Sequence, residues 1–113
     1  MQKTLNMAAG TGYVLDLGGD VTYLELTAKA DCWVKPAWAE TIPTDPTDVP
    51  TAAVIPGAGA TSDYLHLATS GDSQDWDAGK GGSNSSSAPT TKFNHVLVWS
   101  VVGAGGELLA AGV

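Results

Sequence analysis

Arginine is absent from the sequence, and its five basic residues face twelve acidic ones, which gives a formal net charge of −7. Binding to a phosphate backbone needs clustered cations, and arginine is the preferred reader of phosphates and bases. Anionic membrane surfaces attract proteins through the same kind of basic cluster. The composition therefore argues against nucleic acid and membrane surfaces as partners, and the acidity favours solubility.

Cysteine and long apolar runs are equally scarce. The single cysteine, Cys32, excludes an internal disulfide and a cysteine-rich zinc site, and its neighbours Trp33 and Val34 predict a buried, unreactive thiol. No stretch provides the roughly 18 apolar residues of a membrane-spanning helix. The start, MQKTLNMAAGTG, has no apolar core of an export signal, so we expect a protein made in the cytoplasm.

Charge is sparse as well, since only 15% of the 113 residues are charged, against about 25% in an average soluble chain. Polarity comes instead from threonine, serine, glycine and aspartate, which favour turns and strand surfaces over helices. The length suits one domain with a modest core. The composition thus predicts a single all-β domain.

What is present is an alternation of apolar and polar side chains, which predicts strands. Residues 13–28 contain two such strands, joined by a turn at residues 18–20. In the second strand Leu24, Leu26 and Ala28 fall on one face, as in a half-buried strand.

Three further segments have the same character. Residues 31–38 predict a short strand that Pro36 ends or places at a sheet edge. Residues 62–68 alternate again, and residues 93–102 have apolar side chains on both faces. The last pattern is typical of a central strand covered on each side.

The closing segment, VLVWSVVGAGGELLAAGV at residues 96–113, has two interpretations. A glycine loop after a strand could bind a dinucleotide, but that site needs a helix, a second strand and an acidic residue about 20 positions further on. Only residues 107–113 remain for them. We therefore predict that the glycines turn a hairpin between two strands.

About seven short strands with frequent turns predict an all-β fold, a small antiparallel β-sandwich or barrel with long irregular loops. We divide the chain into an extended N-terminal arm, residues 1–12, and a single β domain, residues 13–113. The domain carries a proline-rich segment at 39–56 and a Gly/Ser-rich loop at 71–91, in which Trp76 is the only large apolar side chain.

Residues that could carry chemistry do not form a recognisable pattern. His66 and His95 lack further ligands at a metal-binding spacing, so both are expected to be structural. No serine lies in a G-x-S-x-G elbow. Asp72, Asp75 and Asp77 form a solvated acidic turn or, as an open alternative, a calcium loop. The sequence therefore predicts no enzyme, no catalytic residue and no cofactor.

Four tryptophans are the most informative residues. Trp33 and Trp99 lie on predicted strands, where core packing is the favoured role. Trp38 and Trp76 lie in or beside loops and could mark a contact surface for protein or sugar. A loop aromatic folded back over the end of the domain remains an equal alternative.

The first dozen residues are mostly small or polar and would suit an arm lying across a neighbouring chain, although an ordinary first strand is also open. Ordering long loops costs about 1–2 kcal/mol per residue, which a partner surface could offset. The predicted partner-binding residues are Met1, Gln2, Lys3, Leu5, Met7, Trp38 and Trp76.

The chain is small and acidic, and three of its segments together resemble those of a known family. These segments are TAKADCWVK at 27–35, DYLHLA at 63–68, and a valine-rich closing strand with a glycine turn. Over residues 13–113, as a pattern of strands, the chain resembles the small capsid-decoration (cement) and accessory virion proteins of tailed bacteriophages. The resemblance implies a structural virion protein, synthesised in the host cytoplasm, that binds the capsid surface and stabilises subunit junctions.

The same resemblance implies that the partners are the major capsid protein or other virion subunits. It also implies a homo-oligomer, for which a trimer is one option. The alternative function is a carbohydrate-binding module, which a virion could also display, with Trp38, Trp76 or Tyr64 as stacking platforms. Carbohydrate-binding modules usually act outside the cell, and the lack of a recognisable export signal weighs against this alternative.

Overall fold

The computed structural model describes residues 1–46, 64–68, 71–78 and 92–113, and in these ranges the chain forms eight β-strands. The strands are β1 (Gln2–Met7), β2 (Gly12–Val21), β3 (Tyr23–Ala28), β4 (Cys32–Ala37), β5 (Leu65–Leu67), β6 (Ser73–Asp77), β7 (Phe93–Ser100) and β8 (Gly106–Gly112).

The strands form two four-stranded antiparallel sheets, which we call sheet one (β1-β8-β3-β6) and sheet two (β2-β7-β4-β5). Each strand pairs with its mirror image in chain order: first with last, second with seventh, third with sixth, and fourth with fifth. This is the pairing of a jelly roll, the β-sandwich in which one long hairpin is rolled up. The predicted all-β antiparallel sandwich is confirmed.

The core lies between the two sheets and follows from the alternation along the strands. Leu24, Leu26 and Ala28 of β3 are fully buried, as the sequence predicts. The central position of β7, between β2 and β4, is also confirmed. The core cluster comprises Met7, Leu15, Leu17, Val21, Leu24, Leu26, Ala28, Cys32, Val34, Leu67, Trp76, Ala78, Phe93, Val96, Val98, Leu108 and Ala110.

Cys32 belongs to this core and is fully buried, with its thiol free. Burial, followed by the negative charge of Asp31, raises the pKa of the thiol to about 12. Since the thiolate is the reactive form, the prediction of a buried structural thiol is confirmed.

The predicted hairpin at the end of the chain is wrong. β7 lies in sheet two and β8 in sheet one, so the glycine-rich segment crosses from one sheet to the other instead of joining two paired strands. Gly103, with a φ of 86°, and Gly106, with a φ of 153°, adopt backbone conformations that L side chains rarely take. The glycines do form a turn, but β7 pairs with β2 and β4, and β8 pairs with β1 and β3.

The predicted turn at residues 18–20 is also wrong, because these residues lie inside β2. The pairing of β2 with β7 is regular up to Asp16 and resumes at Val21, with an irregular, bulged stretch between them. Gly18 has a φ of 79°, and its N–H donates to Asp16 Oδ1 at 2.7 Å. The positive φ of Gly18 therefore forms part of a bulge within one strand, not a turn between two strands.

The N-terminal arm is likewise corrected to a strand. β1 pairs with β8 from Gln2, opposite Ala111, to Met7, opposite Gly106. The terminal ammonium of Met1 donates to the carbonyl of Gly112 at 2.9 Å. The open alternative of an ordinary first strand is the correct one, since Met7 places an apolar side chain in the core.

The predicted loop at 71–91 contains a strand in its described part, because β6 occupies Ser73–Asp77 and pairs with β3. Pro36 does not end β4, which continues to Ala37, and it lies opposite Val96 of β7. Within the proline-rich segment, residues 39–46 form no strand. The remainder of that segment, and the loop beyond residue 78, lie outside the described residues.

Candidate functional site

Trp38, directly after β4, has an exposed side chain, with 41% of its surface accessible. Its Nε1 donates to Asp20 Oδ1 at 3.0 Å, and Lys92 Nζ lies 4.6 Å from its ring centroid in a cation–π contact. Lys92 also forms an ion pair with Asp20 at 3.3 Å. We call these three residues the Trp38 cluster. In this cluster, contacts within the chain itself position an exposed indole.

Asn94 fixes the chain just after the cluster. Its Nδ2 donates to the carbonyl of Ala39 at 2.8 Å, and its Oδ1 accepts from the N–H of Ala39 at 3.2 Å. The same oxygen lies 2.7 Å from His95 Nδ1. Because an amide oxygen can only accept, Nδ1 carries the proton of the neutral ring.

His95 is 98% buried, with only 2% of its surface exposed, and lies opposite Asp16 of β2. Burial lowers the pKa of His95, and the negative charge of Asp16 opposes this effect without overcoming it. The ring is therefore a neutral, hydrogen-bonded structural group, as the sequence predicts.

This shift predicts loss of stability in acid. A histidine whose folded pKa lies below its ordinary value of 6.5 binds fewer protons when folded, so its contribution is complete above about 6.5 and falls as the pH drops towards the folded pKa. We expect the Tm of the wild type to fall below about pH 6.5, and His95→Gln to flatten this slope. The slope of Tm against pH is measured by thermal unfolding, followed by circular dichroism, at about pH 5–8, a range that brackets the ordinary histidine pKa of about 6.5.

The matched control is His66→Gln, which removes the exposed histidine of β5. This control should keep the slope of the wild type. An unchanged slope in His95→Gln, or the same flattening in both variants, would contradict the assignment to His95.

The outer face of sheet two carries an aromatic row, formed by Trp99, Trp33 and His66 on three adjacent strands. The rings of Trp33 and His66 stack, with centroids 4.3 Å apart and planes inclined by 4°. A Cβ atom on Gly12 would lie 2.8 Å from the ring of Trp99, so only glycine allows the indole to lie there.

The core role predicted for these two tryptophans is therefore wrong. Trp33 and Trp99 are only partly buried and do not belong to the core cluster. Their neighbours Val34 and Val98 point the other way and are fully buried. Leu97, which shares the face of Trp99, is nevertheless mostly buried, so this face of the sheet is partly covered.

For Trp76 the prediction is wrong in the opposite direction, since the side chain is buried instead of exposed. It lies in β6, opposite Leu24, and only 1% of its surface is exposed. Its assignment as an exposed loop anchor is wrong, because the tryptophan occupies an inward position of a strand.

Tyr64, considered as a sugar platform, is also mostly buried, with 7% exposed, and Lys35 Nζ lies 5.6 Å from its ring centroid. Of the three proposed platforms only Trp38 is accessible.

The seven predicted partner-binding residues do not form one site. Met7 points into the core, and Leu5 packs against it. Met1, Gln2 and Lys3 line two adjoining depressions on the outer face of sheet one, together with residues of β3 and β8. Trp38 and Trp76 lie in separate environments, one exposed and one in the core.

We call the two depressions together the outer groove. Their volumes are about 300 Å³ and 450 Å³, and they share Gln2, Glu25 and Ala111. The full lining is Met1, Gln2, Lys3, Thr4, Tyr23, Glu25, Thr27, Leu109, Ala110, Ala111, Gly112 and Val113. Sequence reasoning missed the contribution of β3 and β8, since no local pattern links residues so far apart in the chain.

The described residues contain no group of three or more histidine, cysteine, aspartate or glutamate side chains that could hold a metal ion. Asp75 and Asp77 lie on β6, where Asp75 is paired with Glu25 and Asp77 with Tyr23. None of the described residues belongs to a helix with the length and hydropathy that spanning a bilayer requires.

The chain matches no protein-family model, no curated protein and no solved structure. The candidate function must therefore be argued from the surfaces of the molecule, since a fold by itself does not assign one.

Proposed function

We propose that the protein is a structural virion protein that binds the capsid surface and stabilises junctions between capsid subunits. The observation that carries this proposal is the Trp38 cluster, an exposed indole held by Asp20 and Lys92. Tryptophan, together with tyrosine and arginine, is enriched at the energetic centre of protein interfaces, where a polar rim surrounds it. A ring that is already in position loses little side-chain entropy on binding.

The wider architecture supports a binding role without assigning it. Jelly rolls occur among viral capsid domains, lectins and cupins, so the fold is compatible with a virion component, and this part of the argument is analogy alone. Two of the described groups that could carry covalent or base chemistry are engaged in the fold. Cys32 is buried with a raised pKa, and His95 is buried and bonded to Asn94.

The partner we propose is the major capsid protein or another virion subunit, met by several copies of this chain as a homo-oligomer. The net charge of −7 favours a capsid surface that carries basic residues around the contact. Lys92 and Asp20, each about half exposed, would form the polar rim of that contact.

Trp38→Ala is expected to weaken capsid binding by about 1–3 kcal/mol, the range typical of an interface anchor. The Tm should stay almost unchanged, because the ring is exposed and its hydrogen bond and cation–π contact are at the surface. Co-sedimentation with purified phage capsids, quantified by titration, measures the loss.

Two further variants separate the ring from its surroundings. Trp38→Phe keeps an aromatic face but loses the hydrogen bond to Asp20, and is expected to show an intermediate loss. Tyr23→Ala removes an exposed aromatic on sheet one and serves as the matched control. Equal binding by Trp38→Ala and wild type would reject the cluster as the capsid contact.

A further inference from the structure

We propose that the outer groove on sheet one is a second binding site, and that its ligand is a neutral carbohydrate. The proposal does not depend on capsid binding through Trp38, because the two surfaces share no residue. It also differs from the sugar platforms considered from the sequence, two of which are buried.

The groove arises from the residues that sheet one presents outwards. One row across the four strands places Ala111 of β8 between Gln2 of β1 and Glu25 of β3, with Asp75 of β6 beyond. The next row is Thr4, Leu109, Thr27 and Ser73. β8 therefore contributes a low apolar floor, and the longer polar side chains of its neighbours form the walls.

An aromatic ring stands at one end of this groove. Tyr23 is 36% exposed, and its hydroxyl donates to Asp75 Oδ2 at 3.4 Å. Partial burial, followed by the charges of Asp75 and Glu25, raises the pKa of Tyr23, so the hydroxyl remains a donor. Further along, Thr27 Oγ1 and Ser73 Oγ lie 3.1 Å apart. The ring thus has an apolar face and a fixed polar edge.

A sugar matches this combination of groups. Its C–H face can pack on the ring of Tyr23 and on the methyl group of Ala111. Its hydroxyl groups can donate to the carboxylate of Glu25 and bond both ways with the amide of Gln2. Few, well-placed polar groups beside an apolar surface are the usual composition of a small-ligand site.

Other ligand classes fit the groove less well. A phosphate or other anion would be repelled by Glu25 and Asp75. An extended peptide adds to a sheet through an unpaired edge, whereas β8 and β3, which form the floor and one wall, are each paired on both sides. A metal ion would need more ligands than the described residues bring together.

The test is a titration of the ¹⁵N-labelled full chain with a panel of neutral oligosaccharides of glucose, galactose and mannose, followed by NMR. We expect at least one member to shift amide signals of β3 and β8. Glu25→Gln and Tyr23→Ala should each weaken that binding tenfold or more, and Ala111→Leu, which fills the floor, should abolish it. Glu25→Gln should keep the fold, since it removes a like-charge pair with Asp75.

Trp38→Ala is the matched control and should bind the sugar as the wild type does. Capsid binding measured on the same variants shows whether each surface acts alone. Absence of binding to the whole panel, or shifts confined to the aromatic row of sheet two, would overturn the carbohydrate proposal. None of these results would affect capsid binding through Trp38.

Discussion

Replacing Trp76 by alanine is expected to lower the free energy of unfolding by about 3–5 kcal/mol, the usual range for truncating a buried aromatic side chain. The indole is 1% exposed and belongs to the core cluster between the sheets. A domain of this size has about 5–15 kcal/mol of stability in total, so the variant should be largely or partly unfolded at physiological temperature. Urea denaturation followed by circular dichroism measures the change.

The same substitution at Trp38 provides the control, because the two side chains differ mainly in exposure, 1% against 41%. Trp38→Ala should cost less than about 1 kcal/mol of stability, as exposed contacts usually do. The two variants should therefore have opposite effects. Trp76→Ala should lower the free energy of unfolding, and Trp38→Ala should weaken capsid binding. Equal losses of stability in both would show that the assignment of core and surface is wrong.

Deletion of residues 1–9 is expected to destabilise the domain, by more than about 2 kcal/mol, since burial of one methionine side chain alone contributes about 1.5–3 kcal/mol. The deletion removes β1, its pairing with β8, and the core side chain of Met7. It also leaves β8 as an exposed edge, which favours association with other chains. Thermal unfolding and size-exclusion chromatography report the two effects.

A free arm would behave differently, because its removal would weaken attachment to a partner and leave the Tm unchanged. The control keeps β1 but changes the exposed residues Lys3 and Asn6 to serine, and should retain the Tm of the wild type. An unchanged Tm in the deletion variant would show that residues 1–12 form an arm and are not part of the folded domain.

Part of the candidate site was predictable from the sequence. Exposure of Trp38 was one of two alternatives that its position beside a proline-rich segment left open, and its 41% exposure selects that alternative. The residues that hold it could not be predicted. Asp20 lies in the bulge of β2, and Lys92 directly precedes β7. Both contacts with Trp38, which follows β4, therefore depend on these three segments meeting in the folded chain.

The other tryptophans show why local pattern was not enough. Trp76 stands among aspartate, glycine and serine, which favour a loop, yet pairing with β3 makes the segment a strand and turns the ring inwards. Trp99 lies in the most apolar strand, yet Gly12 on the neighbouring strand leaves space for its ring on the outer face. In both cases a residue on another strand decides the environment.

The sequence by itself determined that the chain is all β, where most of its strands lie, and which face of β3 is buried. These properties follow from composition and from the two-residue period of a strand, which are local. Only the tertiary structure decided that β7 and β8 belong to different sheets, that β1 is a strand, and that Met1, Gln2 and Glu25 line one groove. Antiparallel strands can pair in many combinations with similar backbone hydrogen bonding, so the choice among them depends on how the whole core packs.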